Sequence, residues 1–171
     1  MTAVSDVRRL YQYDREILET YLRALQRLPW KTAVKDRGVG HLSMKNTFVH
    51  ILNVHDAWLN TVVPGKLERM DDETRRAESM QSWKEVRAYM VRVWEGIDVL
   101  LKGLTDRKLR RRVKAPWMPG EYTLADAFFQ ASIEQAHHLG ELIAVFWQLD
   151  KEPPPMTWIQ IQNRLRKRTR G

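Results

Sequence analysis

The sequence predicts an all-α fold, a four-helix bundle with long connections, on three observations. Apolar residues recur at helical spacing in four long segments, Pro and Gly punctuate the chain between them, and no run alternates as a strand would. The first helix is expected over residues 5–28, with Ser5 as N-cap and Val7, Leu10, Tyr11, Ile17, Leu18, Tyr21, Leu22 and Leu25 on its apolar face, until Pro29 ends it. Residues 30–41, with Gly38 and Gly40, read as a loop. Ser43 then caps a second helix that runs to about residue 63, where Pro64-Gly65 stops it. A charged linker through Asp71-Asp72-Glu73 leads to the third helix. Ser82 and Glu85 have the S-x-x-E spacing of a capping box ahead of Val86, Tyr89, Met90, Val93, Trp94, Ile97, Leu100 and Leu101, and Gly103 terminates it. The connection over 104–122 contains Pro116-Trp117-Met118-Pro119-Gly120, which forbids a continuous helix and leaves room for a short extended excursion. Thr123, with Asp126 three residues on, caps the fourth helix, whose Leu124, Ala127, Phe128, Ala131, Leu142, Val145 and Leu149 form a stripe with His138 at its middle. Pro153-Pro154-Pro155 closes it. A short fifth helix is expected over 157–168, docking through Trp158, Ile159 and Leu165 with its arginines facing water.

The 171 residues suit one domain with a substantial core, read here as 1–171 with a basic tail at 162–171. An apolar fraction of 43% and a charged fraction of 29% are those of a soluble globular chain, and no apolar run approaches the roughly 20 residues that span a membrane. Residues 1–9 enter an amphipathic pattern directly, without the apolar core and cleavage site of a signal peptide, which points to the cytoplasm. The absence of cysteine excludes disulfides, thiolate metal sites and a cysteine nucleophile, so any metal must be held by nitrogen and oxygen. The formal charge is +8, and Arg164, Arg166, Lys167, Arg168 and Arg170 concentrate much of it at one end. A second basic run at 107–114 reads as a solvated helix end, favoured by the helix dipole. Neither run carries a nucleic-acid motif, so binding of nucleic acid or an acidic partner through the tail stands as the alternative reading.

Chemistry concentrates in Glu134-Gln135-Ala136-His137-His138-Leu139-Gly140-Glu141, inside the apolar fourth helix. Glu134 and His138 are four residues apart, so their side chains share one helix face and can converge on one cation. His137 differs from His138 by about 100° in direction and belongs near the surface, with Glu141 as its salt-bridge partner. The second helix offers another imidazole. Its apolar face, Phe48, Ile51, Leu52, Trp58, Leu59 and Val62, is centred near His55, whereas His50 lies at the edge among Thr47, Val54, Ala57 and Thr61. Periodicity favours His55 while room and solvent access favour His50, so pattern leaves the two open. For either one, a buried histidine bonded to a neighbouring helix is the alternative to a ligand.

The segment from His50 to Asp56-Ala57-Trp58-Leu59 resembles the second helix of the DinB/YfiT-like family, in which a metal histidine opens an apolar stretch ending in Trp-Leu. The segment 134–141 resembles that family's last-helix signature, H-x-x-H-H-R-G-Q. The resemblance implies a metal site of His50, Glu134 and His138, with Gly140 and Glu141 on the G-Q pair, and so resolves the histidine choice toward His50. It covers nearly the whole chain. Glu134 stands where many members carry histidine, and the His/Glu/His set is similar to that of the thiol-dependent maleylpyruvate isomerase branch. Leu139 and Glu141 replace the usual arginine and glutamine.

Two imidazoles and one carboxylate leave an open position on a divalent ion, the arrangement of catalytic zinc. Such an ion lowers the pKa of water or of a thiol that displaces it. The expected ion is zinc or nickel, with manganese or iron next, since such ligands discriminate weakly. His55, His137 and Glu141 are candidates for orienting the ligands or moving protons. The expectation is a metal-dependent transferase or hydrolase acting on a small molecule, with a low-molecular-weight thiol as candidate co-substrate. A homodimer is also expected, with Trp147 and Trp158 as exposed aromatics that could hold it.

Overall fold

Serine and threonine side chains cap the starts of four helices among the described residues. A computed structural model of the chain describes residues 3–38, 40–70 and 73–168. Helix α1 spans Val4–Gln26 and starts one residue earlier than expected, after Ala3, which makes no side-chain cap bond. The cap comes instead from a distant residue: Asp106 Oδ1 accepts from the Val4 N–H at 2.9 Å. The expected loop after Pro29 contains a single turn, α2, Trp30–Ala33, whose Trp30 packs edge-on against Trp83 at 5.4 Å. Ser43 caps α3, Met44–His55, by accepting from Asn46 N.

The chain then continues as a π-helix, Asp56–Val62, where the sequence pattern predicts an uninterrupted α-helix. Its wide turns are closed by bonds five residues apart, Val63 N–H to Trp58 O at 2.9 Å and Lys66 N–H to Thr61 O at 2.8 Å. Asn60 accounts for the departure. Its carboxamide donates to Asp56 Oδ1 at 2.9 Å and to Val93 O of a neighbouring helix at 3.0 Å, pressed against the bare Cα of Gly96.

After a 3₁₀ turn at Leu67–Arg69, part of the expected linker folds as α4, Glu73–Ser79; Asp71 and Asp72 lie outside the described residues. The buried Lys45 secures the end of α4, donating to Ala77 O at 2.5 Å and Met80 O at 3.3 Å. Helix α5, Trp83–Lys102, starts at Ser82 and ends at Gly103 as expected. Its capping box is altered, because the Glu85 carboxylate accepts from Gln81 N at 2.7 Å and from the Ser82 hydroxyl at 3.1 Å. The long connection holds a turn, α6, Asp106–Leu109, and the extended excursion: β1, Arg112–Val113, pairs antiparallel with β2, Tyr122–Thr123. Thr123 and Asp126 form the full capping box of α7, Leu124–Gln148. Helix α8, Trp158–Arg168, docks through buried Ile161 and Gln162, while Ile159, expected to dock, is 64% exposed. Trp158 packs on Tyr13 at 5.0 Å. Trp147 is exposed, and residues 169–171 of the basic tail lie outside the described residues.

The four long helices close a ring in which α1 meets α5, α5 meets α3, α3 meets α7 and α7 meets α1. Between them lie Ile17, Leu18, Leu22, Phe48, Ile51, Leu52, Met90, Trp94, Ala127, Phe128 and Ala131, all at most 2% exposed. Among the described residues no helix is long and apolar enough to cross a membrane.

An added Cβ at position 96 would overlap the Asn60 carboxamide. Gly96→Ala is therefore expected to cost about 1–3 kcal/mol of stability, read as a lower urea midpoint at unchanged slope. A midpoint equal to that of the wild type would show that Asn60 yields freely.

Candidate metal centre

Three imidazoles from three separate segments meet at one place. His138, 8% exposed, comes from the middle of α7, and His50 comes from the second turn of α3. The third is His41, in the loop before Ser43. The ring centroids of His50 and His138 lie 4.3 Å apart, those of His41 and His50 3.7 Å, and those of His41 and His138 5.1 Å. One nitrogen from each of the three can be chosen so that all lie within 4.8 Å of one another.

Sequence reasoning missed His41 because it sits in an aperiodic loop. Its placement depends on backbone conformation: Gly38, Gly40 and Leu42 all have positive φ, at 68°, 54° and 67°. Glycine adopts this region freely and leucine does not, so Leu42 is a strained position beside the cluster. The loop is closed by Arg37 N–H to Leu42 O at 2.8 Å and by the Arg37 guanidinium on Lys35 O and Thr32 O. The readable signal was the Gly-x-Gly-His run directly ahead of the Ser43 cap.

Glu134 and Glu141 flank His138. Glu134 Oε2 lies 3.4 Å from His138 Nε2, and its Oε1 accepts from Gln130 Nε2 at 2.9 Å. Glu141 Oε2 lies 3.2 Å from His138 Nδ1, but off the direction of a hydrogen bond, so that Nδ1 is buried without a hydrogen-bond partner. A Cβ added at Gly40 would stand 3.0 Å from the same carboxylate oxygen, so Glu141 also packs against the His41 loop. His137 is on the surface, its Nε2 3.7 Å from Glu141 Oε1.

His55 is fully buried, and its surroundings differ from those of His50. Its Nε2 meets Gln135 Oε1 at 2.9 Å, and its ring packs on Tyr11 and Trp94. Gln135 Nε2 in turn donates to Asp14 Oδ1 at 3.2 Å, and the Ser132 hydroxyl donates to Asp14 Oδ2 at 2.7 Å. With the Gln135 amide oriented this way His55 carries its proton on Nε2, leaving Nδ1 without a partner in the core. Charging the ring would bury an unpaired N–H. Accordingly burial pulls the His55 pKa down to about 4, against the opposing pull of Gln135. Burial pushes the Asp14 carboxyl up to about 7, with the Ser132 bond working the other way.

A cavity of about 540 Å³ opens beside the histidines, with His50, Val54, Ala57, Trp58, Met70, Trp117 and Glu134 in its walls. The three imidazoles, the partnerless His138 nitrogen and the carboxylates on either side of it fit a divalent cation with an open side toward this cavity. The DinB superfamily profile matches residues 12–142. A solved structure, a DinB-like protein from Bacillus cereus ATCC 10987, superposes with a TM-score of 0.69 at 16% identity, covering 90% of this chain and 97% of that one. No curated protein matches the chain.

The core string predicts a distinctive pH response. Asp14 binds its proton more tightly in the folded chain, so its contribution falls as pH rises from about 4 to about 7; His55 binds its proton less tightly, so its contribution rises from about 4 to the ordinary histidine value. The two oppose each other in the wild type. Asp14→Asn removes the falling term, and urea unfolding of that variant between pH 4 and 6.5 should show stability rising more steeply with pH than in the wild type. Parallel profiles would contradict the assignment.

Proposed function

The chain belongs to the DinB superfamily, and on that premise we propose that it is a metal-dependent enzyme working as a single domain. The reading is of a transferase, with a low-molecular-weight thiol as nucleophile, or a hydrolase, with water in that role. The observation that carries it is the convergence of His41 and His138 on His50, which itself lines the cavity. Zinc or nickel suits imidazole and carboxylate donors best. When bound, the ion supplies Lewis acidity and draws down the pKa of the nucleophile.

The protein's own residues supply the rest. Burial of His138 and the α3–α7 contact hold the imidazoles of His50 and His138 at their spacing. Glu141, beside His138 and against Gly40, sets a carboxylate between α7 and the His41 loop, next to the imidazoles. Glu134 is part of the cavity wall, with one oxygen held by Gln130 and the other near His138. That places it to accept a proton from a thiol or water entering the cavity. Glu134 thus takes a proton-transfer role here, and His41 the third ligand position.

Elemental analysis of the untagged protein tests this. About one equivalent of zinc or nickel is expected in the wild type, lost in His50→Ala and His138→Ala and strongly reduced in His41→Ala, with Glu134→Gln keeping its metal. Wild type that takes up no zinc, nickel or manganese on incubation would overturn the enzymatic reading. Metal kept in His41→Ala but lost in Glu134→Gln would return the third ligand to Glu134.

A further inference from the structure

The cavity beside the histidines shares wall residues with a second one, of about 270 Å³, and the chemistry changes from one to the other. The first is bounded by Val54, Ala57, Trp58, Met70, Trp117 and Met118; the second by Asp56, Asn60, Tyr89, Arg69, Arg76 and Arg92. They share Asp56, Thr61, Arg69 and Arg76. His50 borders only the first, and Arg92 only the second. Wall residues His50, Val54, Ala57 and Thr61 follow one another at helical spacing along α3 and the π-helix, so the joined cleft runs roughly 15 Å from the histidines toward the arginines.

The arginine end is built rather than incidental. Arg76 is only 18% exposed in its side chain and is locked in place, donating to Asn53 Oδ1 and Tyr89 Oη at 2.6 Å each, with Asp56 Oδ2 at 3.4 Å. Arg76 and Arg92 both lie over the Tyr89 ring, at 5.0 and 5.6 Å. Three guanidiniums thus stand around a cavity whose one carboxylate among the described residues, Asp56, is already engaged by Arg76 and Tyr89. Among the described residues Arg69 and Arg92 have no ion-pair partner. The guanidiniums of Arg69 and Arg92, with Arg76 beside them, select an anion, which they can hold through paired N–H donors.

The apolar end is unusually open. Trp117, Met118 and Met70 are 43%, 37% and 47% exposed at the cleft, although Trp117 packs edge-on against the buried Trp58 at 5.4 Å. Trp117 and Met118 sit in the loop between β1 and β2, the segment whose prolines keep it from folding into a helix. Large side chains left in water around a concave wall mark a surface for an apolar body.

We propose that the substrate is an elongated organic anion: an apolar or aromatic body between Trp58, Trp117, Met70 and Met118, its reacting end beside the histidines, its carboxylate or phosphate held by Arg69, Arg76 and Arg92. The proposal rests on the functional reading above for the histidine end only. The anion subsite stands on its own residues and is measurable without metal.

The probes are ω-phenyl carboxylates from phenylacetate to phenylhexanoate, 3-phenylpropylphosphonate, and the uncharged amide of each carboxylate. They are titrated into the protein as isolated and after EDTA treatment, so that binding through a metal is separated from binding through arginine. Calorimetry is expected to give anions at least about tenfold tighter than their amides in both preparations, with the indole N–H resonances of Trp58 and Trp117 shifting. Whichever of carboxylate and phosphonate binds tighter identifies the anionic group. In Arg69→Gln/Arg92→Gln the anion affinity should fall about tenfold in both preparations. The proposal is overturned if amides bind as well as anions, if no probe binds at millimolar concentration, if the double variant keeps wild-type affinity, or if the indole signals stay unmoved. Anion binding without metal uptake would sink the enzymatic reading and leave this one standing.

Discussion

The hydrogen bond between His55 Nε2 and Gln135 Oε1 fixes how α3 lies against α7, and most of the site follows from it. Two fully buried polar side chains must satisfy each other or leave the core with unmet donors, which costs about 1–3 kcal/mol per group. Pairing 55 with 135 in two antiparallel helices brings position 50 opposite 138, and the rings of His50 and His138 do meet there. A slip of one turn would separate those rings and strand both His55 and Gln135. The core pair acts as the ruler, and the histidine cluster is what it measures out.

The same helix carries the site's second device. Where α3 would otherwise run on, Asn60 bonds to α5 through Val93 O and opens the turns into a π-helix. Four of its residues, Asp56, Ala57, Trp58 and Thr61, form cavity wall. A wider turn moves successive side chains through a smaller angle, so more of them face one side. The helix that brings His50 to the histidine cluster at one end therefore lines the cavity wall at the other. Tyr89 and Arg76 brace this stretch from α5 and α4, both bonding to Asn53 Oδ1 and Asp56 Oδ2.

What could be read in the sequence was local. Ser43, Ser82 and Thr123 cap helices as their spacing predicts, because a cap needs only the next three residues. Ser5 does not, because the first N–H groups of α1 are met in part by Asp106, about a hundred residues away. The pairing of His137 with Glu141 followed from one turn of helix. Pattern on one helix left His50 and His55 open, His55 at the centre of the apolar face and His50 at its edge; the partner that engages His55, Gln135, sits on another helix. His41 was hidden for a different reason. A histidine in a loop has no period, and three left-handed residues in alternate positions aim this one. The π-helix, α4 and the arginine end of the cleft were hidden likewise, each resting on contacts between segments far apart in the chain.

On the proposed reading, imidazoles from a loop, α3 and α7 hold one divalent ion. X-ray absorption on zinc- or nickel-loaded protein tests it most directly, because the imidazole ring leaves its own outer-shell scattering. The account predicts nitrogen and oxygen at about 2.0–2.1 Å with outer-shell scattering from three imidazoles, falling to two in His41→Ala. A shell of oxygen alone, without imidazole scattering, would contradict it.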